Sequence, residues 1–189
     1  LASTDPEAFL DFFRVNENSD YIAVHRLLCQ GLLKLVSQHP KIILEYLTAD
    51  FRRLVIGDHN DCHKEGNKLI SAVVPHLDRL CLGKLEDAVV TWNRYYRKDA
   101  KWTAEDRRNR LKWNREHRLR LLRAFPEDYL SEATKKLRAE EERAFPKLRD
   151  WDSQFSGVFS VGSAMTENQM EKAEDEEIVN LFKELNDET

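Results

Sequence analysis

The spacing of apolar positions along the chain is helical almost throughout. Between Asp20 and His39, Tyr21, His25, Leu28, Leu32 and Leu35 recur at intervals of three and four, with Ile22, Cys29, Leu33 and Val36 as a second stripe beside them. Two adjacent stripes make a wide apolar face, which predicts a helix with neighbours on both sides. Ahead of it, Ser3-Thr4-Asp5-Pro6-Glu7 reads as a helix start, with Thr4 as the cap and Glu7 closing a capping box. Pro40 opens a helix carrying Ile42, Ile43, Tyr46 and Leu47, and a short one with Phe51, Leu54, Val55 and Ile56 stops at Gly57. From Cys62, the series Gly66, Leu69, Ile70, Val73, Leu77 and Leu80 keeps helical spacing through Pro75, where a kink or a break is expected. Leu85, Val89, Trp92 and Tyr96 line one face of a further helix.

After Lys101 the pattern changes. Thr103-Ala104-Glu105-Asp106 caps a helix predicted to run to about Arg123, with only Leu111, Trp113, Leu119, Leu121 and Leu122 as apolar positions. A helix that is polar nearly all round either bridges through solvent or waits for a partner. Arg123-Ala124-Phe125-Pro126 recurs as Arg143-Ala144-Phe145-Pro146, and each Phe-Pro is expected to end a helix with its ring turned inward. Leu130, Ala133 and Leu137 predict an amphipathic helix between them. A Ser/Gly-rich stretch follows, and then a tail helix from Thr166 with Ile178, Leu181, Phe182 and Leu185 as a narrow stripe.

The expected organisation is a helical core over 1–100, a charged helical extension over 101–152 packed on or projecting from it, a linker at 153–163, and an acidic amphipathic tail helix at 164–189. The fold class is all-α: stacked antiparallel helices with a long basic helix and an acidic C-terminal helix. This pattern is similar to helical-repeat and superhelical adaptor domains at the level of architecture. No internal self-similarity names a repeat family.

Composition sharpens the picture in three ways. Gly (6) and Pro (5) are scarce in 189 residues, against a sheet protein rich in tight turns. Three cysteines, Cys29, Cys62 and Cys81, form no CxxC pair, and that odd, scattered set suggests a reducing compartment, cytoplasmic or nuclear. No apolar run is long enough to span a bilayer and no basic-then-apolar leader opens the chain, so no membrane association is expected. The start at Leu1 rather than Met reads as a fragment or processed product.

The net charge of -4 hides an asymmetry. Arg94 to Arg123 holds twelve Lys/Arg against four Asp/Glu, whereas Met165 to Thr189 holds nine Asp/Glu against two Lys. The basic segment, with Arg107, Arg108, Arg110, Arg115 and Arg118 around Trp113, is the leading candidate for partner binding. Arginine suits bidentate pairing with carboxylate or phosphate. The tail stripe of Ile178, Leu181, Phe182 and Leu185 has the spacing of a helix-in-groove ligand.

The expected function is therefore a non-catalytic protein–protein interaction scaffold or adaptor, whose partner offers an acidic surface or a hydrophobic groove. The alternative is RNA or DNA binding through residues 92–123, where aromatic rings interleave with cations. Metal binding has weak candidates in His59, Cys62 and His63; a polar inter-helix loop is the plainer reading. His25, on an apolar stripe, reads as a hydrogen-bonded core histidine. No nucleophile elbow, zinc-protease helix, phosphate loop or dinucleotide fingerprint occurs. Neither enzymatic activity nor a cofactor is expected.

Overall fold

Prolines and short polar side chains decide where the helices begin. The computed structural model describes residues 2, 4–58, 61–94 and 101–148. Among these residues the chain is all-α, with seven α-helices, three 3-10 turns and no strand. Helix α1 (Pro6–Asn16) starts one residue later than its sequence suggested. Asp5, not Thr4, is the cap, and its carboxylate accepts from the Ala8 amide at 3.0 Å. Pro6 imposes this, because the residue before a proline is pushed out of helical geometry and Asp5 cannot lie inside the helix.

Helix α2 (Ile22–Leu32) is shorter than the stripe from Asp20 to His39 predicted. Past Leu32 the amides of Lys34 and Leu35 bond three residues back, to Gly31 and Leu32, and this tighter winding ends the helix. Leu35 stays in the core all the same. Helix α3 (Pro40–Ala49) has its proline in the first turn, where the missing amide is no loss. The predicted short helix at Phe51 is a 3-10 turn, Phe51–Val55, capped by Asp50.

Helix α4 (Lys64–Val73) lacks a side-chain cap. The amides of Glu65 and Gly66 instead both donate to the Ile56 carbonyl, at 3.0 and 2.9 Å. This pins the start of α4, and the turn before it, to the segment after the 3-10 turn. At Pro75 the helix breaks: α4 gives way to a 3-10 turn, Val74–His76, before α5 (Arg79–Val90) begins at its Asp78 cap.

Helix α6 (Ala104–Arg123) is the longest described, and α7 (Glu132–Ala144) follows it. The Ser131 cap of α7 also reaches sideways. Its hydroxyl and amide both donate to the Glu86 carboxylate of α5, at 2.7 and 3.0 Å.

The helices pack in a chain of neighbours: α1 on α2, α2 on α4, α4 on α3, α3 on α5, α5 on α6, and α6 on α7. Leu28, Leu32, Ile43, Leu47, Leu69, Ile70, Leu85 and Val89 are fully buried, and Leu121, Leu122 and Phe125 at the end of α6 join the same cluster. Each such side chain contributes about 1.5–3 kcal/mol by leaving water. His25 is the hydrogen-bonded histidine its position suggested, linked to the Tyr46 hydroxyl and the Ser19 carbonyl at 2.7 Å each. Residues Leu1–Phe155 form one compact unit. The second unit, Ser156–Thr189, lies wholly outside the described residues, as do the anchors Ile178, Leu181, Phe182 and Leu185.

Two glycines give opposite expectations. A Cβ on Gly66 would sit well inside van der Waals contact of the Leu54 carbonyl oxygen, whereas one on Gly83, inside α5, would meet nothing within 4 Å. In urea denaturation, Gly66→Ala should cost about 2 kcal/mol or more. Gly83→Ala should add about 0.5–1 kcal/mol, because alanine loses less backbone entropy in a helix.

Candidate functional site

Helix α6 changes character along its length. Thr103 and Asp106 cap it reciprocally: the Thr103 hydroxyl accepts from the Asp106 amide at 3.1 Å, and the Asp106 carboxylate accepts from the Thr103 amide at 2.9 Å. The Thr103 hydroxyl also donates to the Asp106 carboxylate at 2.7 Å, and this bond, with that from the Thr103 amide, holds Asp106 below the ordinary carboxylate range, Arg110 and Arg107 adding to the effect. From Ala104 to Lys112 every side chain is exposed except the half-buried Arg110. Nine residues of helix make a rod of about 13 Å. Leu111 lies on it 64% exposed.

Beyond Lys112 the same helix enters the fold. Asn114, Leu119, Leu121 and Leu122 are buried. Three arginines on this half, Arg115, Arg118 and Arg123, pair with carboxylates of α7. Arg115 places Nε 2.9 Å and Nη2 2.8 Å from Glu141 Oε2, and Arg118 Nη2 lies 2.9 Å from Oε1 of the same carboxylate. Glu141 is 2% exposed, so two guanidiniums meet one desolvated charge. Arg123 grips Glu142 as a fork, with bonds of 2.8 and 2.6 Å, and holds that carboxyl below its ordinary range. Such charge-assisted, bidentate bonds are the strong class of hydrogen bond.

The midpoint of α6 carries a cluster of rings. Trp113 and His117 lie with centroids 3.6 Å apart, and Trp92 stacks on His117 at 5.6 Å. The Trp92 indole donates to the Phe51 carbonyl at 2.9 Å, tying the cluster to the 3-10 turn. His117 Nδ1 lies 2.7 Å from Nε2 of His63, at the start of α4, and the Cys62 thiol sits alongside. Burial holds His63 neutral, down to about 3, with His117 and Arg120 adding to the effect. Burial likewise lowers His117 to about 4, helped by Arg120 and Arg94. The Cys62 thiol is pushed up by burial and by Asp61, against the pull of Arg120.

The structure therefore divides the predicted binding residues. Arg107, Arg108 and Arg110 lie on the projecting half, with the Arg110 guanidinium over the Trp102 ring at 4.1 Å. Arg115 and Arg118 are engaged by Glu141, and one side of Trp113 is occupied by His117. Of the weak metal candidates, Cys62 and His63 sit together in the turn before α4, while His59 lies outside the described residues.

Two groups escaped sequence reasoning. The neutralising pair Glu141 and Glu142 sits in the Glu140–Glu142 run of α7, and that run was the available signal. His117, which has no local motif, was not singled out at all. No helix among the described residues is long and apolar enough to cross a membrane. No protein-family model, curated protein or solved structure matches this chain.

The Glu141 contact predicts an asymmetry. Glu141→Ala removes both charge-assisted contacts at once and leaves the mostly buried Arg118 without its carboxylate, and should cost about 3 kcal/mol in urea denaturation. Arg115→Ala should cost under about 1 kcal/mol, because its side chain is 46% exposed and Arg118 stays on the carboxylate. Equal losses would mean that burial of the carboxylate is not what ties α7 to α6.

Proposed function

We propose that this chain is a non-catalytic protein-interaction module that captures an acidic partner surface on the projecting half of α6. The observation that carries the reading is the division of that helix. Its C-terminal arginines are met by Glu141 and Glu142 inside the fold, whereas Arg107 and Arg108 remain exposed beside Arg110 and Leu111. Between Lys101 and Lys112 stand five Lys/Arg against two Asp/Glu, with an exposed leucine among them. Cations around an apolar spot suit a protein surface with discrete carboxylates and a hydrophobic contact.

The wider reading is a stack of antiparallel helices of the superhelical adaptor kind, working in the cytoplasm or nucleus. Three free cysteines, one of them buried, support a reducing compartment. The apolar stripe of Ile178, Leu181, Phe182 and Leu185 on the acidic tail is a second docking element in this reading. RNA or DNA binding is the rival use of the same arginines. A nucleic-acid groove needs a continuous cationic track. Here the track is cut short where Arg115, Arg118 and Arg123 turn to α7.

Fluorescence anisotropy across a salt series separates the two. A labelled Asp/Glu-rich peptide with interspersed leucines should bind, and Arg107→Glu, Arg108→Glu and Arg110→Glu together should weaken it at least tenfold, or about 1.4 kcal/mol. Single-stranded RNA and duplex DNA should bind more weakly than the peptide. Tighter nucleic-acid binding with a steep salt slope would transfer the function to nucleic acid. Peptide binding indifferent to the triple charge reversal would remove α6 from the function.

A further inference from the structure

We propose that Cys62, His63 and His117 form a binding site for a zinc-class divalent ion, with the fourth coordination position open. The three donors come from two elements. Cys62 and His63 occupy the turn fixed by the Ile56 carbonyl at the start of α4, and His117 lies mid-way along α6. Their ligand atoms all lie within 4.8 Å of one another.

A tetrahedral zinc with Zn–N of about 2.0–2.1 Å and Zn–S of about 2.3 Å sets its nitrogens about 3.3 Å apart and sulfur about 3.6 Å from each nitrogen. The two imidazole nitrogens face each other at 2.7 Å. They need part by only about 0.6 Å to admit the ion. The thiol, half-buried and free of a disulfide, has roughly an ångström to close. One thiolate and two imidazoles are a borderline-soft donor set, which favours zinc over magnesium or calcium.

The surroundings of His63 leave room for the hydrogen bond that its non-ligating nitrogen would need. His63 is 1% exposed, yet its Nδ1 is buried without a hydrogen-bond partner, and so is Oδ1 of Asn67 one turn further along α4. A buried donor and acceptor left unsatisfied need an explanation. Both residues line one cavity of about 300 Å³, with Asp61, Ser71 and Arg120. Ligating histidines ordinarily pass their other N–H to such an acceptor, directly or through water, and Asn67 Oδ1, unpartnered and on the same cavity, is one acceptor available to it.

The Arg120 and Arg94 guanidiniums oppose a cation here, and the Asp61 carboxylate, with the thiolate formed on ligation, would offset them. The ion would cross-link two elements 54 residues apart in sequence, bracing the base from which the rest of α6 projects.

The test is titration of the full chain, first stripped with chelator, with cobalt(II) as a spectroscopic stand-in for zinc. One equivalent should bring up a sulfur-to-cobalt charge-transfer band and intense visible bands of a tetrahedral site, both abolished by one equivalent of zinc. Cys62→Ser should remove the charge-transfer band, and His117→Gln should weaken binding at least tenfold. Circular dichroism should show both variants helical. Zinc should raise Tm of the wild-type chain, an effect lost with chelator and absent in Cys62→Ser. If no sulfur band develops, or if it persists in Cys62→Ser, the site is not this one and the proposal fails. Should His117→Gln unfold the chain, the half-buried Cys62 variant and the zinc-dependent Tm still decide.

Discussion

The buried carboxylate of Glu141 is the contact on which the C-terminal half of the molecule depends. Arg115 and Arg118 stand one turn apart on α6, so both reach the same acceptor from one helix face. A charge this deeply buried is tolerable only when it is fully paired, and the pairing fixes the register of α7 against α6. With α7 so placed, Glu142 receives Arg123, and the Ser131 cap of α7 reaches Glu86 on α5. One desolvated charge thereby ties three helices together at defined positions.

The same contact shapes the surface. A helix as rich in arginine as α6 repels itself in isolation, and α7 removes that repulsion over its C-terminal half. The projecting half keeps its charge because nothing described packs across Arg107 and Arg108. Burial and exposed charge are thus divided along one helix: core leucines at the end, rings and a histidine at the middle, exposed cations at the start. The Trp92–His117–Trp113 stack at the midpoint seats the helix on the core, and an ion held by Cys62, His63 and His117 would brace that seat further. A partner arriving at Arg107 would meet a rod held from a firm base, with little conformational entropy left to lose.

Much of this was legible along the chain. The Thr103 cap marked the start of α6 and apolar positions at helical spacing located the other described helices, whereas the caps Asp78 and Ser131 were not singled out. Where boundaries moved, a local rule had been outweighed. Pro6 shifted the cap from Thr4 to Asp5, and tighter winding after Leu32 shortened α2 although its stripe ran on. The basic character of α6 was visible as well, but the fate of each arginine was not.

What the sequence determined by itself is the all-α class, the approximate helices and the uneven charge, because these follow from neighbours three or four residues apart. Which arginines are neutralised, and which side chains meet His63, was decided by the tertiary structure alone. Glu141 lies 26 residues from Arg115, and His117 lies 54 from His63. No local periodicity encodes such pairings. They arise when packing of the apolar faces brings α7 and α4 against α6, and burial then requires each polar group to find a partner.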